Sequence, residues 1–129
     1  MASVLVLEDD GDMRTLMCEL LEMAGVESCV SVGSVEELRR QRLEDVHRAQ
    51  LALIDINLGA DHPSGLEAYE WLRKQRFGGK VVFITGHAAS HPLLREAQGL
   101  HGVQVLRKPV DGDVLLDLLP AAEQAQHAP

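Results

Sequence analysis

Aromatic residues are scarce in this chain, which has one Trp, one Tyr and two Phe among 129 residues. A platform that stacks nucleic-acid bases needs several aromatic side chains, so this kind of nucleic-acid binding is not expected. The formal net charge of −8 points the same way, because nonspecific binding to DNA or to anionic membranes requires an excess of positive charge.

Long apolar runs are also lacking, and cysteines are few. No apolar run reaches the ~20 residues that a membrane-spanning helix needs, and the first residues lack the basic segment of a signal peptide. The two cysteines, Cys18 and Cys29, have neither the number nor the spacing of a disulfide framework or a zinc site. We interpret them as small core residues. These absences favour a cytoplasmic protein, and the length suits one domain.

Short apolar runs alternate with helical patterns along the chain. The runs predict strands at 3–7, 27–32, 51–55, 80–84 and 103–106, and the patterns predict helices at 12–24, 35–45, 66–76, 90–99 and 111–119. This alternation predicts an α/β fold, a doubly wound five-stranded parallel sheet with helices on both faces. We assign residues 1–121 to this domain and 122–129 to a flexible tail.

Several local signals set the expected helix ends. Ser34 and Glu37 form a capping-box pattern, Gly78 and Gly79 are expected to end the third helix, and Pro120 to stop or kink the last one. The first helix is expected to begin at or just after Asp12, stop at Gly25 and bury one apolar stripe: Met13, Leu16, Met17, Leu20, Leu21, Met23 and Ala24.

The stretch Leu51–Asp55 is the most informative. Four apolar residues run into a single carboxylate, as in a buried strand whose carboxyl end opens into the crevice where α/β sheets place their chemistry. Asp55 is therefore either a functional carboxylate or an ordinary cap or turn aspartate.

Other polar residues follow the other predicted strands: Glu8, Asp9 and Asp10 follow the first, Thr85 the fourth and Lys108 the fifth. The carboxyl ends of parallel strands share one edge, so these residues are expected to meet. Clustered carboxylates with oxygen-only donors suit Mg²⁺, and a lysine and a hydroxyl suit a bound anion. Together they describe phosphoryl transfer to an aspartate.

These segments resemble the receiver domain of two-component response regulators. The resemblance covers nearly the whole chain, through five short segments in the right order: 4–10, 53–58, 64–67, 82–87 and 106–109. It implies the strand order 2-1-3-4-5, which is the order of flavodoxin-like sheets.

The resemblance also implies roles. Asp55 is the phosphoacceptor, with Thr85 and Lys108 holding the phosphoryl group. A divalent Mg²⁺ or Mn²⁺ ion is bound by Glu8, Asp9, Asp55 and the main-chain carbonyl of Asn57, while Asp10 points away. The peptide bond before Pro109 is often cis in the family.

Three positions depart from the family pattern. Gly59 stands where a proline is common, and the loop that follows it looks slightly longer than usual. Val105 replaces an aromatic residue that swings inward on activation. His87 can overhang the phosphoryl site, so His87 and Asn57 are expected to modulate the lifetime of the phospho-aspartate, unless His87 is simply a solvated loop residue.

The expected function is that of a signalling module and not of a classical enzyme. A histidine kinase or histidine phosphotransfer protein donates the phosphoryl group, and the surface of the fourth helix, fifth strand and fifth helix then changes for a downstream partner, with a homodimer through this surface as a further option. Too few residues follow Pro120 for an output domain, so we expect either a stand-alone receiver that acts by protein contacts or a fragment of a longer chain. Two alternatives stay open: a phosphorylation-independent scaffold, and a phosphohydrolase, against which Asn57 speaks because it cannot exchange protons.

Overall fold

The computed structural model describes residues 3–58, 64–86, 92–100, 102–108, 110 and 112–127. Five parallel strands form one sheet in the order β2-β1-β3-β4-β5. This confirms both the predicted fold class and the strand order. The strands are β1 (Ser3–Leu7), β2 (Ser28–Val32), β3 (Leu51–Asp55), β4 (Lys80–Thr85) and β5 (Gln104–Arg107).

Six helices connect or follow the strands in the described part of the chain. They are α1 (Gly11–Met23), α2 (Val35–Arg39), α3 (Leu43–Arg48), α4 (Gly65–Lys74), α5 (Pro92–Gln98) and α6 (Gly112–His127). None of the helices in these described segments is long and apolar enough to cross a bilayer.

The core lies on both faces of the sheet. β1 and β3 are buried along their whole length, as expected for the central strands of a doubly wound sheet. Alternate residues of each strand point to opposite faces. Leu5, Leu7 and Phe83 therefore belong to one apolar cluster, while Val4 and Val6 belong to the other.

The first helix begins earlier than predicted and buries a narrower stripe. Asp10 is its N-cap, and the Asp10 carboxylate accepts hydrogen bonds from the backbone N–H groups of Asp12 and Met13. Met17 and Leu21 are buried, but Leu16 is 49% exposed and Met23 is 85% exposed. The predicted apolar stripe of α1 was therefore too wide, because it included these two exposed residues.

The predicted second helix is two short helices, α2 and α3. The Ser34 cap is present, and the Glu37 carboxylate accepts from the N–H of Gly33, one residue before the position of a standard capping box. Helical spacing from the buried Leu38 would bring Arg42 to the core-facing side, and an exposed arginine at this position accounts for the interruption.

Two further helix ends differ from the prediction. α4 ends in a Schellman motif whose left-handed residue is Arg76, at φ 60°, and not one of the two glycines that follow. α6 continues past Pro120 to His127. Proline has a helical φ and costs one backbone hydrogen bond, so its presence does not compel a helix to end.

Candidate functional site at the carboxyl edge of the sheet

Parallel pairing brings the strand ends together. Asp55 is the last residue of β3 and pairs in register with Ile84, while Thr85, the last residue of β4, pairs with Arg107. Glu8 follows β1 directly, and Lys108 follows β5 directly. Four distant segments of the chain therefore reach one edge of the sheet.

Glu8 is one of the two buried carboxylates of the site, with only 1% of its surface exposed. The Glu8 backbone N–H donates to the carbonyl of Val32, at 3.1 Å. The Glu8 carbonyl accepts a 2.7 Å hydrogen bond from the Arg14 guanidinium. β2 and α1 together thus hold the Glu8 backbone in place.

Lys108 connects the two buried carboxylates. Its Nζ atom donates to Asp55 Oδ2 at 3.1 Å and to Glu8 Oε1 at 3.2 Å. The Lys108 backbone N–H donates to the carbonyl of Thr85 at 2.7 Å, which fixes the chain just after β5 against the end of β4. A charged group shared between two carboxylates makes stronger hydrogen bonds than neutral groups do.

The acidic group fits a hard divalent cation. Glu8, Asp9 and Asp55 each offer a carboxylate oxygen, and these three atoms lie within 4.8 Å of one another. Glu8 Oε2 is buried and has no hydrogen-bond partner among the described residues, so one acceptor is left for a further positive group. Oxygen-only donors of this kind suit Mg²⁺ or a similar ion.

The electrostatics of the site follow from burial and crowding. Burial, followed by the charge of Asp55, raises the pKa of Glu8 to about 7. Burial also raises the pKa of Asp55, although Lys108 opposes this shift. Burial alone would lower the pKa of Lys108, but Asp55 and Glu8 outweigh it and the pKa is raised. Lys108 therefore stays charged while the two acids compete for it.

An open pocket of about 430 Å³ lies above these groups. Its walls include most of the residues proposed for the site, together with three neighbours: Glu8, Asp9, Asp10, Met13, Asp55, Asn57, Gly86 and Lys108. The Asn57 side chain is exposed, and its backbone N–H donates to Asp55 Oδ1 at 3.2 Å. Thr85 is fully buried at the end of β4 and does not line this pocket.

Gly65, the first residue of α4, packs closely against the end of β3 beneath Asp55. Its N–H donates to the carbonyl of Ile56 at 2.8 Å. A Cβ atom at this position would lie 2.4 Å from the Asp55 carbonyl oxygen, far inside contact distance. The start of α4 can therefore pack against the end of β3 only because residue 65 has no side chain.

Sequence reasoning brought Glu8, Asp9, Asp55 and Lys108 to one edge, but it missed the roles of two residues. Arg14 was not singled out, although a cation in the first turn of a helix is unfavourable and hints at a nearby acceptor. Asp10 was expected to point away, and its side chain caps α1. Val105 is half-buried against the core. The interpretations that concern Gly59 and its loop, His87, Pro109 and the start of the last predicted helix at residue 111 lie outside the described residues.

The fold and the site together define a doubly wound α/β protein with an acidic pocket and a lysine at the carboxyl edge of its sheet. A family comparison matches residues 4–120 to the response regulator receiver domain. The chain belongs to the response regulator receiver domain family, whose members are signalling domains that bind a divalent metal in an acidic pocket.

Solved structures agree with this assignment. A receiver domain protein from Clostridium thermocellum is 23% identical, with 98% of this chain and 97% of that chain covered and a TM-score of 0.82. A CheY-like receiver domain protein from Methanospirillum hungatei JF-1 is 25% identical, with 98% and 97% covered and a TM-score of 0.76. Another from Methylobacillus flagellatus is 25% identical, with 95% and 98% covered and a TM-score of 0.73. A search of curated proteins gave no match.

Proposed function

We propose that the domain, residues 1–121, accepts a phosphoryl group on Asp55 and passes the signal on through protein contacts. The main support for this proposal is that one lysine and two further carboxylates lie close to the Asp55 carboxylate. Lys108 Nζ lies 3.1 Å from the Asp55 carboxylate, and carboxylate oxygens of Glu8 and Asp9 lie within 4.8 Å of an Asp55 oxygen. The donor would be the phosphohistidine of a histidine kinase or a phosphotransfer protein.

Each residue has a physical task in this transfer. A carboxylate oxygen of Asp55 attacks phosphorus, the P–N bond of the donor breaks, and the imidazole leaves with the bond pair and takes up a proton. Lys108 neutralises a non-bridging phosphoryl oxygen. The family resemblance assigns a hydroxyl role to Thr85, which is buried at the end of β4 and would have to turn towards the pocket to fulfil it. Glu8, Asp9, Asp55 and the main-chain carbonyl of Asn57 would hold Mg²⁺ or Mn²⁺.

The metal, when bound, supplies positive charge that offsets the repulsion between the acidic pocket and the incoming phosphoryl group. The buried, unpartnered Glu8 Oε2 supports this role, because burying an acceptor without a donor is unfavourable and a cation would satisfy it. Lys108 is the only lysine or arginine that lines the pocket in the described segments.

The test is to incubate the protein with Mg²⁺ and acetyl phosphate and to measure intact mass. We expect one added phosphoryl group, located on Asp55 by peptide mapping and lost when EDTA is present. Asp55→Asn should remove the adduct, and Asp117→Asn, which changes an exposed aspartate of α6, should keep it.

Other outcomes would replace the proposal. Continuous phosphate release over many turnovers would indicate a phosphohydrolase. A folded protein that gains no adduct would indicate a phosphorylation-independent scaffold.

If the adduct forms, its half-life in Asn57→Ala and His87→Ala, compared with wild type, tests whether these residues modulate hydrolysis. Binding of the phosphorylated protein to itself or to a downstream protein through α5, β5 and α6 would test the output surface.

A further inference from the structure

A second cleft lies at the opposite edge of the sheet from Asp55, where β4 begins. It has a volume of about 400 Å³ and is formed by the second half of α4, the start of β4 and the segment that leads into β5. Its apolar walls include Tyr69, Leu72, Phe77 and Leu100. A cavity of this size is within the range that holds small organic molecules.

Backbone contacts hold the walls of this cleft in place. The Phe77 N–H donates to the carbonyl of Leu72 at 3.0 Å, which ties the loop after α4 back to the helix. A Cβ atom on Gly79 would lie 2.5 Å from the tip of the Phe77 ring and 2.8 Å from the carbonyl carbon of Gln50. Phe77 and the start of β3 can therefore approach each other only because residue 79 has no side chain. The Lys80 N–H also donates to the carbonyl of Gln50, at 2.9 Å, so the cleft is preformed.

The charged side chains of this cleft all carry one sign. Arg73 and Lys80 line it, and none of the described residues that line it is acidic, although acidic residues outnumber basic ones by 20 to 12 in the chain. Within the part of the chain that the structure describes, neither cation forms an ion pair with a carboxylate. The cleft is therefore complementary in charge to an anion, in a protein that is acidic as a whole.

Arg73 lies over an aromatic ring. Its guanidinium carbon is 5.9 Å from the centroid of the Tyr69 ring, and the Tyr69 ring contacts the buried Phe83 ring with a centroid distance of 5.8 Å. The ring face restricts the guanidinium but leaves the N–H groups in its plane able to bind an acceptor. A planar fork of this kind matches a carboxylate, which can accept two parallel hydrogen bonds from it.

We propose that this cleft binds a small organic anion that has an aromatic body and one carboxylate. The carboxylate pairs with Arg73 and Lys80, while the body lies against Tyr69, Phe77 and Leu100. The apolar walls select against inorganic anions, which bury no apolar surface and would gain only the exposed charge pairing. The cleft and Asp55 lie at opposite edges of the sheet, so this binding does not depend on phosphorylation.

The test is a titration of the full isotope-labelled chain with naphthalene carboxylate, followed by NMR. We expect saturable binding with a Kd on the order of 1 mM, which suits a ligand of so few atoms. The shifted amide signals should belong mainly to residues 69–81 and 102–103. The neutral naphthalene carboxamide should bind at least about fivefold more weakly, because it lacks the charge that Arg73 and Lys80 would pair with. Inorganic phosphate should shift none of these signals.

Charge variants test the two cations separately. Arg73→Gln and Lys80→Gln should each weaken binding of the carboxylate about three- to tenfold and change binding of the carboxamide little, because each removes one charged donor. Lys74→Gln removes the same charge from the adjacent exposed position of α4, outside the cleft, and should leave the affinity unchanged. Circular dichroism checks that all three variants are folded.

Four results would overturn the proposal. They are no saturation at about ten times the expected Kd, equal affinity for the carboxylate and the carboxamide, an equal loss of affinity in Lys74→Gln, and shifts centred on Glu8, Asp55 and Lys108, which would place the anion in the acidic pocket instead. Labelling of Asp55 by acetyl phosphate is measured separately, so failure here leaves the proposed function untouched.

Discussion

Replacing Glu8 with glutamine should make the metal-free protein more stable at alkaline pH. Burial and the neighbouring Asp55 raise the pKa of Glu8 from 4.5 to about 7. Below pH 4.5 this side chain is protonated in both the folded and the unfolded chain, so it contributes no penalty. As pH rises towards 7 the unfolded chain releases the proton while the folded protein retains it, and stability falls.

The size of this effect follows from the shift. A rise from 4.5 to about 7 corresponds to about 3 kcal/mol of lost stability once pH exceeds 7. Glutamine resembles the protonated acid and does not titrate. Glu8→Gln should therefore match wild type near pH 4, and its advantage in free energy of unfolding should grow by about 2 kcal/mol between pH 5.5 and pH 8.

Urea unfolding in EDTA at several pH values measures this difference. Glu70→Gln changes an exposed glutamate in the middle of α4 and serves as the control for the removal of a carboxylate. Added Mg²⁺ should reverse the order at pH 8, because the variant lacks a carboxylate that the ion would use. A constant difference between Glu8→Gln and wild type across the pH range would refute the reasoning.

Three further substitutions test backbone geometry at the two ends of α4 and charge in the acidic pocket. Gly65→Ala should lower stability by about 1–3 kcal/mol in urea unfolding and slow labelling by acetyl phosphate, whereas Gly78→Ala, which meets no neighbouring atom, should do neither. Arg76→Gly should raise the free energy of unfolding by about 1 kcal/mol, because it relieves a left-handed arginine, while Gly25→Ala should lower it at the equivalent position of α1. Lys108→Met should tighten Mg²⁺ binding severalfold in calorimetry while slowing phosphorylation; unchanged affinity would show that the lysine and the ion do not compete.

The strands were predictable because their signal is local. Each central strand is a short continuous apolar run, the pattern that suits a strand buried on both faces. The helix ends were less predictable because their determinants involve backbone geometry and distant contacts. Nothing in the local sequence indicates that Arg76, rather than Gly78 or Gly79, takes the left-handed conformation at the end of α4.

The convergence of the side chains of the site at one edge of the sheet was predictable, but their burial and mutual contacts were not. Parallel topology alone brings Glu8, Asp55 and Lys108 to one edge of the sheet. Whether a given carboxylate is buried or exposed depends on packing that the sequence does not display. Glu8 is almost completely buried while the adjacent Asp9 is exposed, although the two residues are chemically similar and consecutive.

The burial of Glu8 beside an exposed Asp9 determines how the pocket would interact with a cation. A buried Glu8 with one unpartnered oxygen destabilises the folded protein at neutral pH, and Lys108 relieves only part of this because its Nζ atom is shared with Asp55. A divalent cation would satisfy the remaining oxygen and would also free Lys108 to turn from Glu8 towards a phosphoryl group. The burial of one carboxylate would therefore favour both the proposed metal binding and the proposed transfer of a phosphoryl group to Asp55.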